Sequence, residues 1–267
     1  MPPVRLGAVE YLNARPLVYG LDRNARFAIR FDVPSRCAVL LHERAIDVGL
    51  IPSIEYLRGG AGGYQIVPDL AIASHGAVAS VALYTTKQMS DVRSIALDTS
   101  SRTSVALVSV LCARLFKIRP TFEPHGPDLA AMLARCDAAL IIGDIALTLD
   151  HANAVATRHV VKIDLGQAWH ELTGLPFVYA FWAGWPDALT AADVRALTRA
   201  RDEGVKQPDA IGRGYFADPA LQAVAARYLR DNIQYSLGGA ERAGLEAFYR
   251  YAAEARVVPG MSPLRFY

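Results

Sequence analysis

The sequence predicts an α/β protein of two lobes, two βα sheets joined by two crossover strands, with a helical C-terminal segment. Three observations predict it. Short apolar runs alternate with helix-patterned segments, two long apolar runs can carry the chain between lobes, and the last third is patterned almost purely for helices.

Taken in order, "VRLGAV" is followed by "ARPLVYGL", "AIRFDV" by "SRCAVLLHER", and "DVGLIP" by "SIEYLRG", three strand and helix pairs. Pro16 suits the first turn of a helix, where its missing N–H costs nothing, and Pro34-Ser35 starts the next helix with a hydroxyl cap. "GGAGG", residues 59–63, is a flexible break. The run "AVASVALYTT", Ala77 to Thr86, is long for one strand and is expected to cross into a second βα series. That series holds "SIAL", a helix from about Thr103 to Phe116, "TFE", a helix from Asp128, the buried strand "AALII", and "VVKIDL" before another helix. "LPFVYAFWAG", Leu175 to Gly184, crosses back. Apolar positions three or four apart mark helices in "TAADVRALTRARDEGVKQ", "DPALQAVAARYLRDNI" and "GGAERAGLEAFYRYAAEA". The boundaries place residues 1–84 and 180–267 in the first lobe and 85–179 in the second, with a ligand cleft between them.

Composition narrows the function. The 267 residues are 52% hydrophobic and 20% charged, with a net charge of +2, which excludes a disordered chain and a surface built to hold nucleic acid. Cys37, Cys112 and Cys136 are odd in number, widely spaced and set in apolar sequence, so they read as buried thiols rather than a disulfide framework or zinc site. The N-terminal stretch lacks a signal-peptide pattern, and no apolar run reaches the roughly 18 residues of a membrane span. A cytoplasmic protein without a membrane partner is expected; the oligomeric state stays open.

Five loops hold the candidate chemistry. "DTSSRTSV" follows an apolar strand and opens a helix, so Ser100 to Ser104 present hydroxyls and free backbone N–H groups together, a combination that binds anions. Arg102 adds a fork suited to a carboxylate, and no phosphate-binding GK[ST] or GxGxxG pattern is present. A polar helix cap is the competing reading of these hydroxyls. Asn13, in "EYLNARP", is either a helix cap or a substrate contact. In "ASHGAVASV", Ser80 can face the cleft, whereas His75 lacks an orienting carboxylate and reads as a solvent-exposed loop residue. Gly143-Asp144 opens another helix, with Asp144 as its N-cap, as a partner orienting Arg102, or as an acceptor for a substrate hydroxyl. Tyr179, alternating with Phe177 and Phe181, offers an apolar wall with a polar handle. Metal and nucleophilic catalysis are disfavoured because HExxH, paired CxxC and GxSxG patterns are missing.

These stretches also carry a family resemblance. "RLGAVEYLNARPLVYGL", "IDVGLIPSIEYL", "ALDTSSRTSVAL", "AALIIGDIAL" and "GLPFVYAFWAG" resemble the chorismate dehydratases of the menaquinone pathway, over about residues 4 to 185. The C-terminal third is similar only in general character. The resemblance implies a fold like type II periplasmic binding proteins and a hydro-lyase that removes water from chorismate to give 3-[(1-carboxyvinyl)oxy]benzoate, on the futalosine route. No metal or organic cofactor is expected, because the chain lacks ligand clusters and nucleotide fingerprints and the elimination is redox-neutral. Ser101, Arg102, Thr103 and Ser104 would hold one substrate carboxylate, and Asn13 and Ser80 would act catalytically on the second carboxylate and the departing hydroxyl. Gly143, Asp144 and Tyr179 would complete the binding site. The proton acceptor is expected to be the substrate's own enolpyruvyl carboxylate, with Asp144 in reserve. A noncatalytic solute-binding protein and the related enzyme acting on cyclic dehypoxanthine futalosine are the alternatives.

Overall fold

The computed structural model describes residues 2–59, 63–149 and 160–267. Two five-stranded sheets form the framework. The first has the order β2-β1-β3-β10-β4, built from β1 (Val4–Val9), β2 (Phe27–Asp32), β3 (Val48–Pro52), β4 (Gln65–Ser74) and β10 (Phe177–Gly184). The second has the order β7-β6-β8-β5-β9, from β5 (Val81–Thr85), β6 (Ser94–Asp98), β7 (Thr121–His125), β8 (Ala138–Ile142) and β9 (Val161–Asp164). In both, the early strands pair in parallel, while β10 and β5 run antiparallel to their neighbours. Every residue of β3, β8 and β10 is buried, which is why these strands read as unbroken apolar runs rather than as alternation.

Sheet membership corrects the expected boundaries. Val81 to Thr85 already pair with β8 and β9 of the second sheet, so the first crossing lies between Ser74 and Val81 and not at residue 84. The return falls between Asp164 and Phe177 rather than at residue 180, because Phe177 pairs with Ser74 of β4. The second long apolar run is thus mostly a buried strand preceded by the crossing, whereas in the first only Val81–Thr85 is strand and its opening residues belong to the crossing. The length of the second reflects burial on both faces.

The helices are α1 (Pro34–His42), α2 (Glu55–Arg58), α3 (Arg102–Leu111), α4 (Leu129–Leu133), α5 (Gly143–Thr148), α6 (Leu165–Thr173), α7 (Ala191–Gly204), α8 (Pro208–Tyr215), α9 (Pro219–Asp231) and α10 (Gly239–Glu254). Asp128 caps α4 as expected, accepting from Ala131 N, and a Thr190/Asp193 capping box opens α7. The segment expected as the first helix is a 3₁₀ helix, Leu12–Val18, with Pro16 inside it rather than at its start. The hydroxyl cap expected at Ser35 does not form; Val33 occupies the cap position, and Ser35 N–H donates to Ser100 O in the other lobe at 3.1 Å. After Leu111 the α3 spiral widens into a π-turn over Cys112–Phe116. The central residues of "GGAGG", 60–62, lie outside the described residues. Cys37, Cys112 and Cys136 are buried free thiols, and no described helix is long and apolar enough to cross a membrane.

Candidate active site

The carboxyl ends of β1, β6 and β8 point into the crevice between the sheets, the place where open α/β sheets present their loops to ligands. There the lobes meet. An inner cavity of about 40 Å³ is lined by Asn13, Ser80, Ser101, Ser104, Gly143 and Tyr179, with Val9, Ile72, Val78 and Ile142 among its apolar walls. A larger groove of about 1200 Å³ adjoins it and shares Tyr11 and Ile142 with it.

Asn13 is the second residue of the 3₁₀ helix and caps nothing; the cap position is Tyr11. Its Nδ2 donates to the Tyr228 hydroxyl at 3.2 Å, and its Oδ1 is buried without a hydrogen-bond partner. Ser80, at the end of the crossing from β4 to β5, is 1% exposed, with Oγ 2.7 Å from the same Tyr228 hydroxyl. One phenol from α9 therefore ties together two residues 67 positions apart in the chain, Asn13 and Ser80.

Across the cavity, Ser101 caps α3, accepting from Ser104 N at 3.3 Å, and the two hydroxyls lie 3.0 Å apart. These two residues thus both close the start of the helix and line the cavity. Arg102 and Thr103 do not line the cavity, correcting their expected place beside a carboxylate. Arg102 Nη1 donates to Glu55 Oε2 at 2.7 Å, and Thr103 Oγ1 accepts from Ile54 N at 3.2 Å and lies 3.4 Å from Ser53 Oγ. The helical repeat puts residues three apart on one side, so 101 and 104 face the cavity, while 102 and 103 face the first lobe.

Gly143 sits on the cavity wall at φ +68°, and a Cβ there would come within 3.0 Å of the Tyr11 ring. Asp144, expected as a cap of its own helix or a partner of Arg102, is neither. Its carboxylate accepts from Leu12 N at 3.1 Å and from the Tyr215 hydroxyl, capping the 3₁₀ helix from the opposite lobe. It lines the outer groove rather than the inner cavity. Tyr179 lies on the cavity wall, its ring in edge contact with Phe177 and its hydroxyl 3.1 Å from Ser74 Oγ. His75 is exposed and stacks edgewise on His170.

The electrostatics follow from burial. Glu55 is desolvated, which alone would raise its carboxyl, but the His42 hydrogen bond and the charges of Arg102 and Arg58 outweigh that and hold it below the ordinary value. Asp144 goes the other way: burial raises it against the lowering pull of Tyr215 and Leu12 N–H. Burial pushes the Tyr11 hydroxyl up to about 12, and Tyr228 is also raised by burial, so both phenols are protonated at neutral pH. No Lys, Arg, Asp or Glu among the described residues lines the inner cavity. Among the described residues no three His, Cys, Asp or Glu side chains gather where they could hold a metal ion.

Sequence reasoning missed Tyr228, Tyr11, Glu55 and Tyr215. Tyr11 and Glu55 lay inside quoted motifs beside residues that drew the attention. Tyr228 carries no local signal, because a tyrosine on the apolar stripe of α9 reads as core.

The fold and the cleft define a two-lobed protein of the type II periplasmic-binding-protein architecture. A protein of Archaeoglobus fulgidus superposes with a TM-score of 0.71 at 17% identity over 96% of this chain and 98% of its own. The periplasmic aliphatic sulphonate binding protein SsuA of Escherichia coli does so with 0.63 at 17% identity, over 100% of this chain and 94% of its own. Within that architecture the chain belongs to the menaquinone biosynthesis family, whose sequence profile matches residues 4–254 and so includes the C-terminal helices. The chorismate dehydratase of Thermus thermophilus is 31% identical over 97% of each chain, and that of Campylobacter jejuni is 29% identical over 91% of this chain and 95% of its own.

Proposed function

We propose that this protein is a chorismate dehydratase, a cytoplasmic carbon–oxygen lyase that eliminates water from chorismate to give 3-[(1-carboxyvinyl)oxy]benzoate. The observation that carries the reading is the neutral, hydroxyl-lined cavity between the lobes, where Asn13 and Ser80 face the capped start of α3, in a chain similar over its whole length to chorismate dehydratases.

The elimination breaks a C–H bond at the ring carbon bearing the ether and a C–O bond at its neighbour. The C–H electron pair becomes part of the aromatic ring, and the hydroxyl leaves with a proton as water. Ser101, Ser104 and the first N–H groups of α3 hold one carboxylate, with the helix dipole supplying the positive potential that the lining side chains lack. Ser80 hydrogen-bonds the departing hydroxyl, and Asn13 holds the reacting groups in line. The tethered enolpyruvyl carboxylate takes the ring proton and passes it to the departing hydroxyl, which leaves as water, so the carboxylate ends ionised as it began. Asp144 is not needed for that step, since its carboxylate is engaged by Leu12 and Tyr215 on the outer groove.

The cavity of about 40 Å³ is far smaller than the roughly 300 Å³ of an ordinary small-ligand pocket, so the lobes must part to admit substrate. Closure then excludes water. The direct test is incubation of the purified protein with chorismate followed by mass analysis. Loss of one water with appearance of an aromatic product supports the assignment; chorismate bound but recovered unchanged would show a solute-binding protein instead.

A further inference from the structure

We propose that Tyr228 is a positioning residue that sets the polarity of the two catalytic side chains, so that Ser80 presents a proton and Asn13 presents a carbonyl oxygen to the substrate. The inference rests on the dehydratase reading and assigns a role to a C-terminal helix.

The argument is one of counting protons. Asn13 Nδ2 has only hydrogens to offer, so at 3.2 Å the Tyr228 oxygen must accept from it. The phenol carries one proton, held in place by burial that raises its pKa well above neutral. The other group in reach is Ser80 Oγ at 2.7 Å, so the phenol donates there. Ser80 Oγ, having accepted, is left with its own proton free to point along the cavity wall. The chain of donors runs Asn13 N–H to Tyr228 O–H to Ser80 O–H, and each link polarises the next.

The same contact decides the amide. With Nδ2 tied to Tyr228, Oδ1 is the atom that remains, and it is buried without a partner on the wall of the cavity. A buried carbonyl oxygen left unmet is destabilising unless a ligand supplies a donor. An acceptor at that position repels a carboxylate and suits a hydroxyl. Asn13 Oδ1 therefore accepts a hydrogen bond from the departing hydroxyl group in the bound substrate, with no proton transferred to it, while Ser80 donates a hydrogen bond to the oxygen of that same group, so the two fix the orientation of its C–O bond for elimination. Tyr228 touches neither carbon and acts through both neighbours.

The test is Tyr228→Phe, which removes one oxygen from a packed ring, with Tyr235→Phe as a control that removes another buried tyrosine hydroxyl, one without a hydrogen-bond partner. Tyr228→Phe is expected to lower kcat by at least 30-fold with KM changed less than threefold, and to add less than twofold to the defect of Asn13→Ala. Tyr235→Phe is expected to stay within twofold of the parent. Nitrogen-15 NMR of the Asn13 side-chain amide supplies a readout independent of turnover: one proton is slowly exchanging in the parent and both exchange rapidly in Tyr228→Phe. A folded Tyr228→Phe protein with parental kcat, or an Asn13 amide that exchanges equally fast in both proteins, overturns the proposal. If the parent itself leaves chorismate unchanged, the dehydratase reading fails, and the amide exchange still decides whether Tyr228 orients Asn13.

Discussion

Asn13 and Gly143 show what a single position can demand. Serine caps a helix as well as asparagine does, but it is one group too short to keep the 3.2 Å contact with Tyr228 and a carbonyl on the cavity wall together. Asn13→Ser is expected to fold like the parent, because position 13 is not the cap, and to turn over at least tenfold more slowly, as measured by product formation. Parental turnover would reduce Asn13 to a structural residue. Gly143 answers to backbone geometry. At φ +68° and with the Tyr11 ring 3.0 Å from a notional Cβ, Gly143→Ala is expected to cost about 1–2 kcal/mol in denaturant unfolding and to displace Tyr11. The sequence marked both positions as important. It did not show that the glycine makes room for Tyr11, since the ring comes from a residue 132 positions earlier in the chain.

At the scale of elements, the start of α3 does two jobs with its two faces. Ser101 and Ser104 line the cavity, while Arg102 and Thr103 latch the second lobe to α2 and the segment before it. If Arg102 works through Glu55, then Arg102→Ala and Glu55→Gln should each lower kcat/KM, and the double variant should show no further loss. A direct carboxylate contact would instead make the Arg102→Ala defect persist in full on the Glu55→Gln background. Glu55→Gln is also expected to destabilise the fold by about 1.5–3 kcal/mol at neutral pH through lost charge-assisted bonds. Because Glu55 ionises at lower pH in the folded than in the unfolded chain, its contribution is complete above the unfolded-state value and is lost as pH falls through the folded-state value. The stability gap between parent and variant should therefore close below the ordinary carboxylate range, as read from denaturation midpoints across pH. A gap that persists unchanged there would exclude this ion-pair origin. The helices themselves were legible in apolar spacing, and the start of α4 in Asp128. The face that α3 turns to each neighbour was not, since "SSRTS" is polar all round.

For the whole molecule, hydrogen bonds between lobes join Tyr11 to Ser100, Leu12 to Asp144, Glu55 to Arg102 and Ile54 to Thr103. With a volume of about 40 Å³, the inner cavity in this arrangement has no room for a substrate-sized molecule, whatever the outer groove admits. Ser53 Oγ and Thr103 Oγ1 face each other at 3.4 Å from opposite lobes, and all three native cysteines are buried. A Ser53→Cys, Thr103→Cys protein, oxidised to a disulfide, is expected to lose more than tenfold in turnover and to regain it on reduction. Oxidised protein that keeps its activity would show that substrate reaches the cavity without parting of the lobes.

The order of strands and helices, the two-sheet architecture and the loops that converge on the cleft were determined by local sequence, because apolar periodicity, capping residues and strand burial are properties of neighbours in the chain. The family was legible for the same reason, as its blocks are contiguous. Tertiary structure alone decided which side chains in those loops face the cavity. Arg102 looked like an anion fork until Glu55, 47 residues away, was found beside it, and Asp144 looked like a cap of its own helix until Leu12 was found on it. Tyr228 was silent in the sequence because its meaning lies in a hydroxyl shared by Asn13 and Ser80. A hydrogen bond between distant residues depends on distance and direction after folding, and nothing in the spacing of either residue along the chain encodes it.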